Sequence, residues 1–113
     1  MAVFNGVFPV LPGKEDAARA FANEVSGPRL EQFKAQEAKA NITKELWTLQ
    51  QTPMGSLLVV WFEGNVEKAF ADLATDDGEF ATWFRAQALA ISGVDLSAPP
   101  DGPAPEAVLD WTA

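Results

Sequence analysis

The stretch Ser56-Leu57-Leu58-Val59-Val60-Trp61-Phe62-Glu63 is apolar in both of its alternating sets: Leu57, Val59 and Trp61, and Leu58, Val60 and Phe62. Its brevity and its β-branched and aromatic content predict a central strand covered on both faces. Burying each large side chain contributes roughly 1.5–3 kcal/mol, so neither face should stay wet. Ala2 to Val10 alternates as a first strand, with Phe4 and Phe8 on one face and Val3, Asn5 and Val7 on the other. After the turn Leu11-Pro12-Gly13, the spacing of Ala17, Phe21 and Val25 predicts an amphipathic helix. Gly27-Pro28 interrupts it, since proline removes a backbone donor and clashes with the preceding turn. Helical sequence resumes at Arg29, with Leu30, Phe33 and Glu37 on one side and Lys34, Lys39 and the other glutamates as a solvated face.

Thr43 to Thr52 predicts a second strand, joined to the central one by the turn Pro53-Met54-Gly55 in an antiparallel hairpin. With Gln51 opposite Ser56, Trp47 and Leu49 share a face with Leu58, Val60 and Phe62. Leu46, Thr48 and Gln50 then lie beside Leu57, Val59 and Trp61, and a one-residue slip would exchange the sets. Asn65 is a candidate N-cap for a short helix whose Val66, Ala69, Phe70 and Leu73 form one face. Asp76-Asp77-Gly78 ends it, and a further helix runs from about Glu79 to Ile91 with Phe80, Phe84, Ala88 and Ile91 aligned and Trp83 beside them. Residues 96–105 form a proline-rich extended arm leading to a short last strand, Glu106 to Trp111.

This order predicts one α+β domain over 1–113, a ferredoxin-like βαββαβ sandwich with an antiparallel sheet and helices on one face. The helices should cover Phe4, Phe8, Trp47, Leu49, Leu58, Val60 and Phe62. The other face mixes Val3, Val7, Leu46, Leu57, Val59 and Trp61 with Asn5, Thr48 and Gln50, a patch too apolar for open water. The same face of a second copy would cover it, so the expected partner is a homodimer. The proline-rich arm would wrap that second copy.

Composition narrows the chemistry. The 113 residues include no histidine, cysteine or tyrosine. That removes the commonest general base and metal ligand, every thiolate and every disulfide, and predicts no cofactor and no metal. The net charge is −8. Lys14, Arg19, Arg29, Lys34, Lys39 and Lys44 balance the acids of the first 45 residues, whereas only Lys68 and Arg85 follow, so the excess falls in the second part. Such a surface repels phosphate backbones and argues against nucleic acid and anionic membrane. Neither a signal peptide nor a membrane span is evident, and the expected compartment is cytoplasm.

Two ferredoxin-like sheets packed face to face resemble the dimeric α+β barrel superfamily, which includes cofactor-independent monooxygenases, haem-degrading enzymes and stress-responsive barrels. Thr43 to Gln50, Gly93-Val94-Asp95-Leu96 and the proline-rich arm look similar to an uncharacterised bacterial branch of that fold. The resemblance implies that Asn5 and Trp61 match an oxygenase asparagine on the first strand and a tryptophan on the sheet. The amide would hold a substrate oxygen, and the indole would wall an apolar cavity. Haem degradation would also need a histidine. Thr48 and Gln50 could point into the same cavity, and Trp83 and Arg85 could stand at its mouth, the arginine holding a carboxylate. Three readings follow: a dimeric protein binding a small apolar ligand, between sheet and helices or at the dimer interface; a cofactor-independent monooxygenase acting on a small aromatic substrate; and a structural or protein-interaction module.

Overall fold

The computed structural model describes residues 2–100 and 102–113. Three strands, β1 (Ala2–Val10), β2 (Lys44–Thr52) and β3 (Gly55–Gly64), form an antiparallel sheet in the order β1-β3-β2. The doubly apolar segment is therefore the central strand. Gln51 stands opposite Ser56, Trp47 opposite Val60 and Leu49 opposite Leu58, while Phe4 faces Phe62 from β1. The hairpin turn fixes this register. Gly55 takes φ +124°, and the Thr52 hydroxyl donates to the Gly55 carbonyl at 2.6 Å. Met54 stands at the tip, 99% exposed.

Four helices join the strands: α1 (Glu15–Ser26), α2 (Leu30–Lys39), α3 (Val66–Thr75) and α4 (Glu79–Ser92). Each sends an aromatic ring to the same sheet face. Phe21 of α1 lies 5.1 Å from Trp47 and Phe33 of α2 lies 6.4 Å from it. Phe70 of α3 meets Phe4 edge-on at 4.9 Å, and Phe84 of α4 meets Trp47 at 5.9 Å. Edge-on rings add about 0.5–1.5 kcal/mol per pair beyond area burial. The predicted inner set is thus the set that the helices cover, with Val10, Ala18, Phe21, Val25, Phe84 and Ile91 at the centre of the core.

Helix ends follow the local sequence. The α1–α2 break falls at Gly27-Pro28, as the missing donor requires. The Asn65 side chain accepts from the Lys68 N–H at 3.1 Å and caps α3. Gly93 closes α4 in the left-handed region, at φ 70°. Gly64, the last residue of β3, packs so closely on Asn41 and Ile42 that a Cβ there would lie 2.8 Å from the Ile42 Cα.

The fourth strand of the expected pattern does not form: Glu106 to Trp111 carries no strand, and the sheet has three members among the described residues. Asp95 accepts from the N–H and hydroxyl of Ser97, and Pro99, Pro100, Pro103 and Pro105 beyond it are all exposed and in no strand. Proline offers no donor to a ladder. Val108 and Leu109 are neighbours in sequence, so an extended chain splits them between two faces. Both are exposed, at 90% and 84%, with Trp111 at 77%. The α+β class holds, and three strands with four helices are compatible with a ferredoxin-like sheet.

Candidate functional site

Large side chains from all four helices meet the inner sheet face imperfectly and leave a cavity of about 100 Å³. Its walls are mainly aromatic and aliphatic, among them Phe21, Phe33, Trp47, Phe62, Phe70 and Phe84. Three carboxyl groups interrupt this lining, Glu37, Glu45 and Asp72, and the first two form a pair. Glu37 lies on the last turns of α2, four residues past Phe33 and hence on the same stripe. Glu45 lies on β2 two residues before Trp47, so the pleat turns it toward the helices. Both are half-buried.

The two carboxyls hydrogen-bond each other. Burial, then the bond to Glu45 and its charge, pushes the Glu37 carboxyl up to about 9. Burial raises Glu45 as well, opposed by its hydrogen bonds from Glu37 and the Trp47 indole. That indole Nε1–H donates to Glu45 Oε2 at 2.5 Å. Near neutral pH Glu37 therefore keeps its proton and donates it to Glu45, which also accepts from the Trp47 indole. Such a pair can give a hydrogen bond, accept one, or exchange a proton with a bound group.

None of the six residues singled out from sequence lines this cavity. Asn5, Thr48, Gln50 and Trp61 lie on the outer sheet face. Asn5 stands opposite Trp61 in the β1–β3 ladder, and Thr48 and Gln50 stand opposite Val59 and Leu57 in the β2–β3 ladder. The Gln50 amide donates to the Gln51 carbonyl at 3.1 Å, and the Lys44 ammonium sits 5.6 Å from the Trp61 ring centroid. Trp83 and Arg85 share α4 but do separate work. Arg29 stacks on the Trp83 ring at 4.1 Å and pairs with Glu79 at 2.9 Å, joining the start of α2 to α4. Arg85 donates to the carbonyls of Leu73 and Asp76 at 2.8 and 2.7 Å, satisfying backbone acceptors that the end of α3 leaves open. Asp76 holds the Gly78 N–H and lies 3.7 Å from Lys39.

Glu37 and Glu45 had a sequence signal. Each is an acid at an inward position of its element, beside Phe33 and Trp47. No helix among the described residues is long and apolar enough to cross a membrane. Comparison with protein-family models, with curated proteins and with solved structures finds no match.

Proposed function

We propose that this protein binds a small, largely apolar molecule in the cavity between its sheet and helices. The observation that carries the reading is the cavity itself, aromatic-walled and broken on one side by a hydrogen-bonded carboxyl pair. Small-molecule sites have this character: apolar walls with few convergent polar groups. A ligand bound only by the folded state raises its stability by mass action. Thermal unfolding across a panel of small alcohols, amines and aromatic compounds tests the reading. A raised melting temperature for some members, lost in the cavity-filling variant Ala88→Leu, supports it; a flat response across the panel overturns it.

A second reading concerns assembly. The outer sheet face exposes Val3 at 45%, Val7 at 59% and Leu46 at 58%, around the half-buried Leu57, Val59 and Trp61. A contiguous apolar surface on a sheet supports pairing with the same face of a second copy. Asn5, Thr48, Gln50 and Trp61 would then be interface residues. Solution mass by light scattering at micromolar protein tests it: a dimer mass supports it, and a monomer overturns it.

A further inference from the structure

The charge around the cavity is one-sided. Its ionisable lining residues are Glu37 from α2, Glu45 from β2 and Asp72 from α3; β1, β3, α1 and α4 contribute no charged side chain to it. Asp72 has its own counter-charge, the Lys68 ammonium at 2.7 Å. Neither Glu37 nor Glu45 has an ion pair with a base among the described residues. The lining thus holds three acids and no base. Glu45 accepts from the Trp47 indole, but no base of the lining stands against the pair, and the one nearby ammonium, Lys68, is already committed to Asp72. Aromatic faces attract cations and repel anions.

We propose that the cavity takes a small organic cation, a short alkyl or aryl amine. Its ammonium group sits at the Glu37–Glu45 pair and its apolar body against Trp47, Phe62 and Phe84. The proposal rests on the ligand-binding reading and narrows the ligand class. The cavity of about 100 Å³ is smaller than the roughly 150 Å³ that holds benzene in an engineered protein cavity, so the body is a short chain, or a ring seated partly in the mouth. On binding, the ammonium replaces the Glu37 proton as the partner of both carboxyls. Glu37 loses its proton to solvent, and the ammonium donates to two carboxylates. The nearest other charged lining group, Asp72, stays paired with Lys68.

The test is a nuclear magnetic resonance titration of the full chain at pH 7, read at the Trp47 indole N–H. The probes are n-butylamine with 1-butanol, and benzylamine with benzyl alcohol. The expected result is amine binding about tenfold or more tighter than the matched alcohol, the increment of one charge-assisted hydrogen bond. Glu45→Gln should abolish that preference while leaving alcohol binding in place. Equal binding, or a preference for the alcohol, overturns the cation proposal and leaves the ligand-binding reading standing. If no probe binds, both fall. An amine preference that survives in Glu45→Gln overturns the assignment to the pair. Should that variant not fold, calorimetry of the unaltered protein in buffers of different ionisation enthalpy decides the matter. Proton release with n-butylamine and none with 1-butanol supports the proposal; no release with the amine overturns it.

Discussion

Glu37 carries the proton that the fold makes hard to remove. Its carboxyl is raised from the ordinary 4.5 to about 9, first by burial and then by Glu45. Between those values the native state binds more protons than the unfolded chain, so unfolding free energy falls as pH rises. Stability from this group is complete below about 4.5 and is lost as pH climbs through 9. One proton limits the slope to about 1.4 kcal/mol per pH unit. We expect Glu37→Gln, whose amide still donates to Glu45, to flatten the denaturant midpoint between pH 5 and 9 and to exceed the parent in stability at pH 8. Denaturant titrations at several pH values check this, and an unchanged slope in the variant refutes it. The pair was only half legible beforehand. Glu37 falls on the inward stripe with Phe33, and Glu45 alternates with Trp47, but which helix covers β2 is decided by tertiary packing. The sequence places Glu37 on the side of Leu30 and Phe33, but a helical stripe alone does not say which strand residue it meets.

At the scale of elements, local chemistry set most boundaries. Gly27-Pro28, Asn65 and Gly93 each end or start a helix where their backbone preferences require it. The hairpin register was left open by the sequence, because β3 is apolar on both faces and a one-residue slip would only move Trp47 and Leu49 beside Leu57, Val59 and Trp61; the structure sets Gln51 opposite Ser56. The last strand was not legible. A strand needs an edge as well as a pattern, and Glu106 to Trp111 has neither a partner in its own sheet nor a clean alternation. Helix α3 is held at both ends by side chains, by Asn65 at its start and by Arg85 at its finish. Replacing Asn65 with Ala should cost about 1 kcal/mol in chemical denaturation, the usual loss of an N-cap. Gly64→Ala should cost more than Asn65→Ala, because its new Cβ meets the backbone of Asn41 and Ile42 rather than a movable side chain. The reverse ranking would mean that the β3–α3 corner yields easily.

For the molecule as a whole, the sheet divides the work. One face builds the core and cavity, and the other remains apolar and open. If that open face is where copies meet, Val7→Lys together with Leu46→Lys should convert a dimer into a folded monomer, since like charges would face each other across a two-fold axis. Light scattering reads the mass and circular dichroism the fold; a dimer that survives both lysines places the contact elsewhere. Trp111 and Leu109 make little contact with their own domain. Trp111→Ala should accordingly shift monomer stability by less than about 0.5 kcal/mol, the usual range for exposed positions.

The hairpin tip gives assembly a ruler. Met54 projects almost wholly into water beyond the end of the sheet, lines neither cavity nor outer face, and belongs to a chain with no cysteine. A thiol placed there would be the only one in each copy. Two spin labels in an assembled pair would then report the span between hairpin tips, and that span separates sheets stacked face to face from copies joined edge to edge.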